Sequence, residues 1–216
     1  VGLAVISRSV TEVSISTVQE ESARALEAAE TGIERSLGGL IAGSGSGSVP
    51  ITNASFNVSN VNLGEGSVYE VPYGLEAGDV ASVNLVGYAG NLVHVCWGKN
   101  VIAGSEPAIE VVLYYRDSTD VVRAGREPYS SVNMGDGFLN AGSGSCAGLS
   151  GFSYNKTVLF SSLSLGSITP LFLRVRLLYN NGPQAVGFVA QGGRSFPKQA
   201  TEIISTGQSG DASQKN

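Results

Sequence analysis

The residues able to do chemistry are few. His94 is the sole histidine of the 216-residue chain. A Ser–His–Asp relay would have to run through it. It lies in the run Val93-His94-Val95-Cys96-Trp97, where it alternates with apolar residues as a strand side chain does. That placement marks it as a structural or surface histidine. A single His also rules out a multi-His metal site within one chain. The patterns GxSxG, GxxxxGK[ST] and GxGxxG do not occur in full, and the stretch Gly43–Ser48 has no Lys after it and no strand before it, so it makes no phosphate loop. Asp117, Asp120 and Asp136 could offer oxygens to a hard cation, but without EF-hand spacing they read as solvated loop carboxylates. The chain is therefore expected not to be an enzyme and to use no cofactor or metal.

The two cysteines, Cys96 and Cys146, do not form a CxxC pair, which fits neither a zinc ribbon nor a thioredoxin-type site. An even count in an exported protein favours a Cys96–Cys146 disulfide; two buried free thiols are the alternative. Among the aromatic residues, Trp97, Tyr114 and Tyr115 lie in apolar strand patterns. Tyr129 and Tyr154 flank a Gly/Ser-rich stretch and are the candidates for a surface binding platform. Sequons start at Asn53, Asn57 and Asn155, as Asn/Ser-rich sequences produce by chance.

The net charge is −5, with 14% charged residues, 42% hydrophobic residues and 29 glycines. A nucleic-acid binder would carry a basic stripe to meet phosphates, and an anionic membrane surface would likewise call for basic residues. Neither partner is expected. The hydrophobic content is too high for a disordered chain, and the Gly, Ser, Asn and Val content suggests short strands joined by many turns.

These residues are positioned by two kinds of element. From Ile6 to Leu37 there is no proline, and apolar or small residues recur at helical spacing: Ile6, Val10, Val13, Thr17, then Ala25, Ala29, Ile33, Leu37 and Leu40. Glu20 and Arg24 stand four apart in the favourable order, and Gly38–Gly39 supplies a stop. The β-branched first half is a mediocre helix former in water, whereas Ser22–Leu37 has high propensity. Residues 42–48 read as a Gly/Ser linker. Beyond them the period changes to two. Strands are expected at Ser55–Val61, Ser67–Val71, Val80–Leu85, Asn91–Trp97, Ala108–Arg116, Thr157–Ser162, Leu171–Leu178 and Ala185–Val189, with a long loop over 124–150. Arg174 and Arg176 alternate with apolar residues in LFLRVRLLY, so one face of that strand meets the core and the other meets solvent. The fold expected is α+β: a long N-terminal helix (1–41), a linker (42–48) and an antiparallel β-rich head (49–216), with the second half of the helix packed on the head.

The segment EVSISTVQEESARALEAAETGIERSL, with its AAE-x-GIE-x-x-L ending, resembles the helix that follows the hydrophobic N-terminus of type IV pilin-like proteins. These include the PilX-type minor pilins and pilin-like proteins of small-genome bacterial lineages. The tail ATEIISTGQSGDASQKN resembles their C-terminal IxSTGxSGxxxRK segment, which leads there into a last strand; here Gln214 stands where an Arg is common. The resemblance is specific over Val1–Leu37, moderate over Thr201–Lys215 and general in between. It implies a subunit of a type IV pilus-like filament or pseudopilus, extracellular, and anchored in the membrane before assembly. No apolar run reaches the roughly 18–20 residues of a membrane span. VGLAVIS reads as the tail end of one, and the resemblance implies a bilayer helix and a prepilin peptidase site upstream of Val1. The implied partners are other pilin subunits, the inner-membrane assembly machinery and, through the upstream helix, the membrane. Assembly would bury Ile6, Val10, Val13, Ala29, Ile33 and Leu37. An adhesin or tip module on the same scaffold is the alternative, with a groove around 124–156.

Overall fold

A computed structural model describes residues 2–50, 53–101, 103–131, 137–144, 146–210 and 212–215, with helix side chains described from Ile15 onward. Strands dominate, in three sheets, and the chain divides into two compact units: residues 1–62 with 201–216, and residues 63–200. The architecture is a β-rich sandwich, the second of these units, accompanied by a helix-bearing first unit, and it replaces the expected helix-on-head α+β arrangement.

In the first unit, α1 (Gly2–Leu37) is followed by β1 (Ser44–Val49) and β2 (Ala54–Leu63), and the chain returns as β13 (Ala200–Ser209) and β14 (Ala212–Lys215). The sheet order is β1-β2-β13-β14. The helix packs on this sheet. The expected linker is thus strand β1, hydrogen-bonded in an antiparallel hairpin to β2 from Ser44–Ser59 to Val49–Ala54. Its alternating Gly and Ser carry too little side chain to show a strand period. The tail resembling a pilin C-terminus forms a second hairpin, and Gln214 Nε2 donates to Ser22 Oγ of the helix at 2.9 Å.

Small residues explain the packing. Ala25, Ala28 and Ala29 are fully buried, and Ser36 is nearly so. With Gly32 they make a face with almost no side-chain bulk, which lets the helix backbone approach the sheet closely. A Cβ on Gly207 would lie 1.8 Å from the Ala25 carbonyl oxygen, and one on Gly32 would lie 2.8 Å from the Phe56 ring. Ala54, Phe56 and Val58 of β2 complete this small core, with Ile41, Val49 and Ile203 around it. The Arg35 guanidinium stands 5.5 Å from the centre of the Phe56 ring. At the helix end Gly39 takes φ +72°, the left-handed cap that glycine adopts without strain, and Leu40 N donates to Arg35 O at 2.9 Å. Ser36 Oγ donates to Asn60 Oδ1 at 2.6 Å, which ties that end to β2.

The second unit holds β3 (Val68–Glu70), β4 (Val80–Asn84), β5 (Leu92–Lys99), β6 (Ala108–Asp117), β7 (Val122–Ser130), β8 (Leu139–Asn140), β9 (Gly142–Ser143), β10 (Phe152–Leu159), α2 (Phe160–Leu163), β11 (Ile168–Leu178) and β12 (Val186–Ala190). They form two five-stranded sheets, β3-β12-β5-β10-β9 and β4-β11-β6-β7-β8. Alternate side chains of both sheets point inward. Val93, Val95, Trp97, Val158, Val186 and Phe188 from one meet Val83, Ile109, Val111, Leu113, Leu173 and Val175 from the other in one buried cluster. The expected loop over 124–150 contains the end of β7 and all of β8 and β9. The strand expected at Thr157–Ser162 stops at Leu159, where α2 begins and buries Phe160 and Leu163. Gly125 of β7 lies against α2 so closely that a Cβ there would be 1.7 Å from Leu163 O.

The close approach at Gly207 makes a direct prediction. Gly207→Ala forces the helix and β13 apart and is expected to destabilise the first unit by roughly 1–3 kcal/mol, the usual cost of overpacking. Urea unfolding followed by far-UV circular dichroism reads this; an unchanged midpoint would show that the helix is not held by this contact.

Candidate functional site

The surface of α1 is two-sided in an unusual way. Its small face is buried in the first unit, while larger apolar residues stand on the flank beside it. Positions 15, 22, 26, 33 and 37 follow the 3.6-residue period, roughly 100° around the helix from the Ala25–Ala28–Gly32 face. Ile15 is 53% exposed, Leu26 43% and Leu37 72%. Val18 and Leu40 are exposed as well. Of the residues expected to pack the helix, Ala29 is buried, Ile33 is half-buried and Leu37 is exposed. Ile6, Val10 and Val13 lie outside the described side chains. The Glu20–Arg24 ion pair runs along the same helix on its solvent side.

The second region is a clamp on the outer face of the β3-β12-β5-β10-β9 sheet. Because side chains alternate, Val93, Val95 and Trp97 of β5 enter the sandwich while His94 and Cys96 point away from it. Cys96 is nonetheless fully buried, because the segment after β9 folds over it. A Cys96–Cys146 disulfide, with Cα atoms 6.1 Å apart, pins that segment to the strand. Phe152 and Val189 join the two cysteines in a small apolar cluster flanked by Val68, Leu149 and Ala185. Gly187 makes room for it: a Cβ there would lie 2.5 Å from Leu149 Cδ1. The β12 strand is consequently buried on both faces.

His94 Nδ1 is 2.9 Å from Thr157 Oγ1 on the neighbouring strand. Trp97 is fully buried and its Nε1 donates to Pro107 O at 2.8 Å. The paired surface tyrosines do not materialise. Tyr129 is 1% exposed, its ring packs in the sandwich core, and its hydroxyl donates to Glu127. Burial, followed by the Glu127 carboxylate, pushes its phenol pKa well up. Tyr154 is half-buried against Trp97, with ring centres 6.0 Å apart. A tyrosine at a strand end that enters the core leaves no periodicity signal different from one in a loop.

The loop carboxylates are engaged locally. Asp117 accepts from Thr119 N, Thr119 Oγ1, Val121 N and Arg123 Nε. The Thr119 hydroxyl and then Arg123 hold its carboxyl far below the usual range. Asp120 pairs with Arg116 at 3.2 Å. Asp136 lies outside the described residues, and no cluster of His, Cys, Asp or Glu able to hold a metal occurs among the described ones.

A third region was only half visible in the sequence. On the outer face of β4-β11-β6-β7-β8 the cross-strand rows are Val80–Arg176–Glu110–Pro128, Ser82–Arg174–Val112–Arg126 and Asn84–Phe172–Tyr114–Ala124. Gly78, Val80, Glu110, Val112, Tyr114, Arg174 and Arg176 line a groove of about 350 Å³. Alternation in LFLRVRLLY announced Arg174 and Arg176 as outward-facing. That Arg126, Glu110 and Tyr114 share their face follows only from the register of three separate strands.

No protein-family model matches the chain. No curated protein matches it either. Among solved structures, similarity is found to the VP2 subviral particle of infectious bursal disease virus (11% identity, 74% of this chain and 38% of that one, TM-score 0.21). A structure of the Gx strain of the same virus gives 13% identity, 71% and 41% coverage and a TM-score of 0.20. The chain thus spans about two-fifths of the length of those it matches. No helix among the described residues is long and apolar enough to cross a membrane.

Two outcomes follow from this geometry. Replacing Cys96 and Cys146 together by Ala opens a loop with a sequence separation of 50, for which the chain-entropy relation gives a loss of about 4 kcal/mol. Denaturant titration of the oxidised and double-Ala proteins measures it, and equal stabilities would mean that the clamp adds nothing. For Asp117 the folded pKa is depressed, so its charge stabilises the fold above the unfolded pKa of about 4 and loses that effect as pH falls below it. The stability gap between wild type and Asp117→Asn should therefore narrow between about pH 6 and about pH 2.5. A gap that does not change with pH would assign the loss to packing instead.

Proposed function

We propose that the chain is a structural subunit of a type IV pilus-like filament or pseudopilus on the cell surface, assembled through α1. The observation that carries this reading is the exposed apolar flank of the helix, Ile15, Leu26 and Leu37, beside a small-residue face already occupied by the helix's own sheet. A helix with one face satisfied and an adjoining apolar flank left in water is stabilised by meeting like helices. The pilin-like pattern of Val1–Leu37 supports the same assignment, and it extends to the expected upstream membrane helix, sister pilin subunits and the inner-membrane assembly machinery. In this reading the helices bundle in the filament interior, and contacts that do not close on themselves propagate the filament. The disulfide fits an oxidising, exported location. The chain acts through surfaces and performs no catalysis.

Charging the flank tests this. Leu26→Glu with Leu37→Glu, both at exposed positions, should leave the thermal midpoint of the isolated chain nearly unchanged. In cells producing the full-length precursor, the same pair should abolish filaments seen by electron microscopy. Filaments of normal number and length from the doubly charged variant would overturn the proposal.

A further inference from the structure

We infer that the outer face of the β4-β11-β6-β7-β8 sheet is a binding site for an acidic glycan, a polymer of sugar rings bearing carboxylates. This goes beyond the filament reading and is independent of it.

The argument starts from charge. The protein is acidic overall, at −5, yet this face presents Arg126, Arg174 and Arg176, with Glu110 as the acidic residue among them. Arg174 is half-buried at the centre of the groove and finds no hydrogen bond or ion pair among the described residues. Among the described residues Arg176 gives only its Nε, to Gly78 O at 3.2 Å, which orients the guanidinium and leaves its terminal nitrogens without a partner there. Arg126 is 3.4 Å from Glu110, and its side chain is 77% exposed. A guanidinium prefers a planar two-oxygen acceptor, and a partly buried one without a partner is a standing site for a carboxylate.

The aromatic pair sets the second half of the ligand. Tyr114 and Phe172 stack across β6 and β11 with ring centres 4.4 Å apart, and both are half-exposed. Arg174 lies two residues along β11 from Phe172, a distance of roughly 6.6 Å on a strand. A flat apolar patch that close to unpaired guanidinium groups matches a ring with an anionic substituent at its edge. The C–H face of a sugar lies on the aromatic patch, its carboxylate meets Arg174 and Arg176, and Glu110 accepts from a hydroxyl. Simple polyanions without rings would use only the arginines. A neutral glycan would leave them empty.

Binding of the full-length chain to immobilised polygalacturonate, dextran and polyglutamate tests the inference, with Arg174→Gln, Tyr114→Ala and, as a matched charge change elsewhere, Arg194→Gln. Polygalacturonate should bind and dextran should not. Arg174→Gln and Tyr114→Ala should each weaken binding about tenfold, the loss of one charge-assisted contact or one stacking surface. Arg194→Gln should leave it within about twofold. Circular dichroism on the same samples confirms that each variant is folded. No binding to polygalacturonate overturns the inference. Equal loss in Arg194→Gln reduces it to diffuse charge, polyglutamate binding that ignores Tyr114→Ala reduces it to a generic anion surface, and Arg174-dependent self-association of the chain assigns the face to a second copy. Each of these three outcomes overturns it too.

Discussion

The structure of the first unit depends on a backbone-to-backbone approach. Helix α1 and strand β13 come together at Ala25 and Gly207 with no side chain between them. An alanine-and-glycine face gains little from hydrophobic area, since there are few methylene groups to bury. It gains instead from dispersion contacts at short range and from excluding water along a full face of the helix. Everything else in the unit is arranged around that contact: Phe56 fills the space under Gly32, Asn60 ties the helix end, and Gln214 reaches Ser22. The buried Ser205 hydroxyl finds no hydrogen-bond partner among the described residues, a cost tolerated where the helix presses closest.

The sandwich solves a different problem. Its two sheets bury large side chains in the ordinary way, but the β3-β12-β5-β10-β9 sheet also has an outer face carrying Cys96 and Val189, which water would otherwise reach. The loop pinned by Cys146 covers it, and so turns a two-layer arrangement locally into a three-layer one. The other outer face carries the groove in which Arg174, Arg176, Glu110 and Tyr114 stand among smaller residues. One sheet is thus covered on its outside around Cys96 and Val189, and the other presents a groove.

What was legible in the sequence follows from how much side chain a residue contributes. The helix and its stop at Gly38–Gly39 were plain. So were the apolar strands, whose inward residues alternate; the cysteine pairing was the favoured one of two readings. The strands SGSGSV and VRAGREPYS were invisible, since Ser and Gly carry no hydrophobic period and β7 shows its polar side. Tyr129 was placed at the surface because it flanks a Gly/Ser-rich stretch, although its ring enters the core. The largest misreading was a long helix packed on one antiparallel β-rich head: Ala25, Ala28 and Ala29 instead meet a separate four-stranded sheet. They are the closest-packed positions in the unit, and their partner is formed by the two far ends of the sequence. The Arg174 face was half legible for the same reason: one strand announced its arginines, while their companions belong to strands far apart in the chain.

The order β1-β2-β13-β14 has one more consequence. Strand β2 ends at Leu63, its neighbour β13 begins at Ala200, and Gln199 N donates to Leu63 O at 2.9 Å where the two chain crossings meet. Topologically, residues 63–200 are a single enormous hairpin loop that has acquired a core of its own. Because the entropy of closing a loop grows only with the logarithm of its length, each doubling adds about 0.6 kcal/mol. The helix-bearing unit is therefore nearly indifferent to the size of what hangs from that junction. Selection could exchange, enlarge or decorate the cargo while leaving the carrier untouched.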